Sequence, residues 1–430
     1  MIARFDVVVV GAGPGGIAAA TVAAEAGRSV CILDDNASHG GQIWRGFRIE
    51  TARRFPHGKS FLDWTHRLQR TNCEVWNGWQ AIDTPSQGLL RLERNDETKD
   101  IGFDDLILAT GARERFLPFP GWTLPGVMGA GGLQALVKSG LDAEGKRVVL
   151  AGSGPLLPAV AAGLTKSGAI VVGIYEQAKL GRLAAFGFSL LGQPAKLLEG
   201  ARYRLKTSHA PYRTGCWVAR AEGHDRLEQV TVTDGRKQWT LPCDWLGCGF
   251  HLVPNLELPR LLECRIIQGY VSVDGLQATS VPHVSCVGEL TGIGGVEKAL
   301  LEGQIAGWAA AGRDREAHAL ARRRKKFGRF AEGMARAFAL RPELRGLVDG
   351  DTLVCRCEDI PHAALKECGS WREAKLHTRC GMGACQGRIC GTAAEFLFGW
   401  ERPGMRAPVL PAKASTLAAE PEPVEVVHSS

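Results

Sequence analysis

Two rhythms of hydrophobic positions organise the first three quarters of the chain. Val7–Val10 is an unbroken apolar run, the pattern of a strand buried on both faces. Gly11-Ala12-Gly13-Pro14-Gly15-Gly16 interrupts it, Ile17–Ala26 is an alanine-rich helical stretch, and Val30–Leu33 is a second apolar run that stops at Asp34. The pattern predicts a βαβ unit over residues 5–34. It recurs from Arg147: strand Val148–Ala151, turn Gly152-Ser153-Gly154, helix Pro158–Ser167 and strand Ile170–Tyr175, ending at Glu176. Residues 295–312 predict a small-residue helix. Residues 313–345 predict a basic amphipathic helix pair broken near Pro342. From Leu417 onward the chain is Pro/Glu-biased and is expected to be loose.

Composition narrows the class. A length of 430 residues suggests two to three domains. With 45% hydrophobic and 23% charged residues, global disorder and a coiled coil are excluded. The formal net charge is +7, and residues 313–345 alone hold eleven basic and four acidic residues. The excess is therefore one local patch, which argues against nucleic acid as a partner. That patch reads first as a solvated helix face and second as a docking surface for an acidic partner subunit. The longest uncharged run, Val148–Thr165, contains Gly152, Gly154, Pro155 and Pro158, so no transmembrane segment is expected. Asp6 ahead of Val7–Val10 favours a first strand over a signal peptide. The expected location is cytoplasmic, with peripheral contact to the inner membrane only through an electron acceptor.

Gly11-x-Gly13-x-x-Gly16 supplies a tight turn, close backbone approach to a pyrophosphate and close helix–strand packing. Pro14 and Gly15 complete the turn, and the helix N-terminus behind it favours phosphate. Asp34 is placed to bind an adenosine ribose, with Asp35 beside it. The second turn, Gly152-x-Gly154, has Leu157 in place of a third glycine. Glu176 there would hold a ribose and repel a 2′-phosphate, so an NAD site and a retained but empty fold both stand. No two cysteines are separated by two residues, so no disulfide-reductase dithiol is expected. Cys243 and Cys248 read as core, and the eleven histidines are scattered without motif spacing.

Thirteen cysteines cannot all pair, and six lie within residues 355–390. Cys355-x-Cys357, Cys385 and Cys390 form two close pairs suited to a [2Fe–2S] cluster or zinc. Cys380 is a rival for one place, and Cys368 reads as a helix residue.

The order of Gly40-Gly41-Gln42, Ala109-Thr110-Gly111, Gly288-Glu289 and Gly294-Gly295 around the first unit resembles flavoproteins with two dinucleotide-binding domains, related to thioredoxin and glutathione reductases. The resemblance implies FAD in the first fold, with Gly41, Gln42 and Arg45 near the flavin or ribityl chain. It also implies Glu289 on the ribityl hydroxyls and the helix from Gly295 aimed at the flavin pyrimidine. Cys355-Arg356-Cys357-Glu358, Thr378-Arg379 and Gly381-Met382-Gly383-x-Cys385-Gln386-Gly387 resemble the bacterioferritin-associated-ferredoxin-like [2Fe–2S] module. Joined, the two halves resemble the α (A) subunits of heteromeric amine dehydrogenases: hydroxyproline and proline dehydrogenases, opine oxidases and hydrogen cyanide synthase.

The implied fold class is α/β, with two Rossmann-like folds and a small, mainly helical [2Fe–2S] domain. Residues 1–120 and 270–312 would bind FAD, 121–269 form the second fold, 313–349 the connector, 350–400 the cluster module and 401–430 the tail. The implied role is electron relay, from a D-amino-acid-oxidase-like flavoprotein subunit that oxidises a secondary amine or amino acid. Further implied members are FMN at a subunit interface and a small ferredoxin-like subunit. The rivals are a stand-alone NADH-dependent reductase passing electrons to its own cluster, a hydrogen cyanide synthase subunit acting on glycine, and a scaffold with a structural cluster. No catalytic acid or base is named.

Overall fold

The computed structural model describes residues 2–54, 57–191, 194–401 and 404–420. The chain divides into two compact units: residues 1–113, 253–331 and 404–430, and residues 114–252 and 332–403. These bounds differ from the expected ones. The cysteine module shares a unit with the second dinucleotide fold, and the expected connector is divided between the two units.

In the first unit, strand Ala3–Val10 pairs in parallel with Val30–Asp34 and Glu97–Leu108. Val284–Cys286 extends the parallel ladder on the far side of Glu97–Leu108. Antiparallel strands Leu89–Arg94 and Gln80–Asp83 widen the sheet. Val7, Val8 and Val9 are fully buried, because helices and loops cover both faces of a parallel sheet. One cover is the packing of helix Pro14–Glu25 on helix Val296–Ala310. A Cβ at Gly303 would lie 2.1 Å from the Gly15 carbonyl oxygen, so small residues let the two backbones touch.

The second unit repeats the plan. Strands Tyr212–Thr214, Ile170–Glu176, Arg147–Ser153, Trp245–Phe250 and Val127–Gly129 form a parallel sheet in that order. Helix Leu156–Lys166 follows the second glycine turn. The cysteine module in this unit has helices Trp371–Thr378 and Cys390–Phe398 and a short hairpin, Leu353–Cys355 with Ile360–Pro361. Val354, Leu365, Trp371, Ala374 and Trp400 form its core with Cys355, Cys380 and Cys390.

Three expectations are corrected. Residues 313–345 form one 24-residue helix, Asp314–Ala337, followed by a 3-10 turn at Pro342–Leu347; the helix stops five residues before Pro342, at the end of its polar–apolar period. Cys368 lies beyond helix His362–Leu365. The first residues of the expected loose tail are ordered, with Leu417 inside helix Ala414–Ala418. Ahead of that helix Val409 is buried, and its N–H donates to the Ile82 carbonyl at 2.9 Å. The physical reason for the ordered end is Arg91. Its buried guanidinium pairs with Asp100 and still needs acceptors, which the Thr416 and Ala419 carbonyls supply at 3.3 and 2.6 Å. Residues 421–430 of the expected tail lie outside the described residues.

Candidate functional site

The first glycine turn sits at the carboxyl end of strand Ala3–Val10. A Cβ at Gly11 would lie 2.4 Å from the Ala109 carbonyl oxygen, and one at Gly16 only 1.9 Å from that of Gly11. Gly16 is thus where the helix touches the turn. Helix Pro14–Glu25 carries Gly13 at its N-cap and Pro14 in its first turn, with no side-chain cap and no acidic residue there. Its leading amides are directed at whatever lies over the turn.

Asp34 is buried and holds this turn together. Its Oδ2 accepts the Ala12 N–H (2.6 Å), and its Oδ1 accepts both the backbone N–H and side-chain amide of Asn36 (2.8 Å each). Exposed Asp35 accepts from the Asn36 amide at 2.7 Å, and Arg45 donates to Asn36 Oδ1 at 2.8 Å. The Gly40 N–H donates to the Ala12 carbonyl, and Gly41 packs on Gly13, while Gln42 is exposed.

Ala109-Thr110-Gly111 closes the other side. Asn255, not among the expected site residues, clamps it: its side-chain amide donates to the Thr110 carbonyl (2.7 Å) and its N–H to that of Gly111 (3.0 Å). These residues fit a dinucleotide such as FAD: an uncapped helix N-terminus, a turn with no room for side chains, and an acid at the next strand end. Gly16→Ala forces a carbon into the Gly11 carbonyl. FAD affinity, read by flavin fluorescence on titration, is expected to fall by about two orders of magnitude or more.

Glu289 is held from the residues just ahead of helix Val296–Ala310. Its carboxylate accepts the N–H groups of Gly294 and Gly295 at 3.1 and 2.9 Å, capping helix Val296–Ala310. Two free amides at a helix start are the nearest positive groups a carboxylate can find. Burial pushes its carboxyl above the usual range, against the pull of Lys298 and the two amides. Beside it Gly288 is held at both ends. Its N–H donates to Glu302 Oε2 (2.9 Å), and its carbonyl accepts from Lys298 Nζ (2.8 Å). Lys298 and Glu302 pair at 2.7 Å, and Arg324 donates to the other Glu302 oxygen at 2.8 Å. Sequence reasoning missed this buried network. Its signal was the four-residue spacing of Lys298 and Glu302.

In the second unit Gly152 and Ser153 extend strand Arg147–Ser153 instead of forming the expected turn, which begins at Gly154, and Leu157 is buried in the place of a third glycine. Glu176 is fully buried and accepts the Gly154 and Ala178 N–H groups at 2.8 Å each. Burial pushes its carboxyl up to about 7.

The sulfurs of Cys355, Cys380 and Cys390 lie within 4.8 Å of one another, and all three residues are buried. The thiols of Cys380 and Cys390 face Cys355 and hold it far below the usual thiol range. Cys385 is hydrogen-bonded with Cys390 and neighbours Cys357, which is exposed. Two of the expected ligands, Cys355 and Cys390, thus lie in one group with the rival Cys380, and Cys385 and Cys357 lie beside it. Gly383 allows the approach, since a Cβ there would lie 2.3 Å from that of Cys357. Five clustered thiols suit a soft, thiolate-bound metal centre, whose binding drives off the thiol protons.

Residues 5–314 match the pyridine nucleotide-disulphide oxidoreductase family. The chain is 32% identical to hydrogen cyanide synthase subunit HcnB of Pseudomonas protegens, over 92% of this chain and 94% of that one. It is also 32% identical to the opine oxidase A subunit of Rhizobium meliloti, over 90% of each. In fold it is similar to L-proline dehydrogenase from P. horikoshii, with TM-score 0.71 and 19% identity over 97% of this chain and 81% of that one. T. acidophilum thioredoxin reductase gives TM-score 0.56 at 22% identity, over 72% and 98%. With that match over residues 5–314 and these two relatives aligned over nine-tenths of the chain, the chain belongs to the pyridine nucleotide-disulphide oxidoreductase family, among the relatives of HcnB and the opine oxidase A subunit.

Proposed function

We propose that the chain is the electron-transfer subunit of a hetero-oligomeric amine dehydrogenase, with FAD in the first fold and a [2Fe–2S] cluster in the cysteine module. One observation carries the reading: a buried knot of thiols, in a chain similar over nine-tenths of its length to proteins named as subunits of hydrogen cyanide synthase and opine oxidase. A flavin accepts an electron pair and an iron–sulfur cluster passes single electrons. This chain's residues hold and tune the two groups. Gly11, Gly13, Gly15, Gly16 and Asp34 seat the dinucleotide. Cys355, Cys357, Cys385 and Cys390 hold the iron, with Cys380 competing for one place.

The C–N bond is oxidised on a D-amino-acid-oxidase-like flavoprotein partner. The substrate is a secondary amine or amino acid such as proline, hydroxyproline or an opine. Glycine is the second class, because identity to the cyanide synthase subunit equals that to the opine oxidase subunit. An interfacial FMN and a small ferredoxin-like subunit complete the proposed complex. Among the described residues, no helix is long and apolar enough to cross a membrane.

The test compares the purified chain, loaded with FAD and iron, with the complex isolated from its source. Under anaerobic conditions the chain alone is expected to stay oxidised with proline, opines and glycine. In the complex one of these amines should bleach its flavin and give the EPR signal of a reduced [2Fe–2S] cluster. Amine turnover by the chain alone would overturn the reading.

A further inference from the structure

The second dinucleotide fold is not open above its glycine turn. Residues Phe338–Arg341, just past helix Asp314–Ala337, run across it. Ser153, the middle residue of Gly152-Ser153-Gly154, donates its hydroxyl to the Phe338 carbonyl at 3.2 Å. Gln177, the residue after Glu176, is fully buried. Its amide NH2 donates to Ser153 Oγ (2.9 Å) and lies 3.3 and 3.5 Å from the Ala339 and Phe338 carbonyls. Its amide oxygen accepts the Arg341 N–H at 3.2 Å. One side chain therefore reads three backbone groups of a peptide from the strand end where a nucleotide fold reads an adenosine ribose.

The side chains of the strap agree. Phe338 is 5% exposed. It packs edge-on to Phe186 at 5.8 Å and against His251 at 6.4 Å, and His251 Nδ1 is 3.8 Å from where a Cβ of Gly154 would be. Arg341 lays its guanidinium over Trp217 at 4.6 Å and donates to the Gly215 carbonyl at 3.3 Å. Leu344 then enters the core around Trp217 and Phe250. Glu176 is itself engaged, with both carboxylate oxygens on backbone amides.

We propose that this fold is a peptide socket: Ser153 and Gln177 bind the chain's own Phe338–Arg341 strap, which closes the fold to nicotinamide and adenine nucleotides and fixes the root of the cysteine module. The socket goes beyond the electron-transfer reading and stands or falls without any amine being oxidised. A nucleotide and the strap require the same Ser153–Gln177 surface, so only one can be present.

The test uses the full, FAD-loaded chain. In equilibrium dialysis, NADH, NAD and Mg-ATP at about 1 mM are expected to show no saturable binding to the wild-type protein. In Ser153→Ala/Gln177→Ala, trypsin cleavage after exposed Arg336, two residues ahead of the strap, is expected to quicken about tenfold, because cleavage follows the open population of the strap. Flavin fluorescence, which reports the other unit, should not change. Phe338→Ala removes the anchor without touching the socket and is expected to give the same cleavage pattern. Saturable one-to-one binding of any of the three nucleotides by wild-type protein overturns the proposal, whatever the variants do. So does unchanged cleavage at Arg336 in both variants.

Discussion

Cys355→Ser is expected to remove the metal centre and leave the flavin in place. Cys355 is 1% exposed and lies where the thiols of Cys380 and Cys390 converge. Its sulfur is thus central to the group, and thiolate rather than thiol binds the metal. A serine hydroxyl at that point stays protonated and offers a hard, weak ligand to a soft centre. Iron and acid-labile sulfide should fall to background, the visible absorbance of the cluster should vanish, and bound FAD should remain near one per chain. Transfer from amine to acceptor by the complex should drop by about a hundredfold or more. Single serine variants at Cys357, Cys380, Cys385 and Cys390 then identify the remaining ligands: three should behave like Cys355→Ser, and the spare should keep its iron. Cys368→Ser should behave as wild type, since that sulfur lies outside the clustered thiols and donates to the Ala364 carbonyl at 3.8 Å. Full iron content in Cys355→Ser would refute this arrangement.

What could be read in advance follows the physics of each signal. A strand buried on both faces must be apolar at every position, so Val7–Val10 and Val148–Ala151 announce themselves. The glycine turns are equally plain, because no other residue fits against the Ala109 and Gly11 carbonyls. The cysteine knot was visible as a cluster but not as a ligand set. Spacing gives Cys380 and Cys390 equal claims on Cys385, and only the fold shows Cys380 buried against Cys355. Polar groups that work buried were the least legible. Lys298 and Glu302 have the spacing of any exposed helix pair, and nothing local says that Gly288 will hydrogen-bond to both. The proline-bearing C-terminal segment hides Val409, whose burial depends on a place beside Ile82 more than 300 residues away in the chain. The strap hides for a similar reason. Phe338-Ala339-Leu340-Arg341 is ordinary until Gln177 is seen reading its backbone.

Glu302→Ala should be among the most damaging single changes in the first unit. Glu302 is fully buried and takes four donors: the Gly288 N–H, the Thr291 hydroxyl and Lys298 on one oxygen, and Arg324 on the other. Deleting it strands Lys298, which is 3% exposed. The lysine is left with the Gly288 carbonyl and the Thr291 hydroxyl, both neutral. Breaking one side of a buried ion pair costs about 3–5 kcal/mol, whereas replacing both sides with apolar groups is often neutral. Urea denaturation of the FAD-loaded protein should show that loss for Glu302→Ala, and the double change Lys298→Met/Glu302→Leu should recover most of it. Arg324 is about a quarter exposed and can turn its charge to water, so Arg324→Met is expected to cost about 1 kcal/mol or less. The order of the three variants is the decisive measurement. If the double change proves worse than Glu302→Ala, the pair stabilises the unit by its charge and not merely by its pairing. The same variants bear on the cofactor, because Glu302 holds the amide of Gly288, and Glu289 follows directly in the chain. Lys298 already pulls on the Glu289 carboxylate; once stranded and drawn to it, the lysine would loosen the carboxylate from the Gly294 and Gly295 amides. FAD should therefore dissociate faster from Glu302→Ala than from the double variant, even at urea concentrations where both are fully folded.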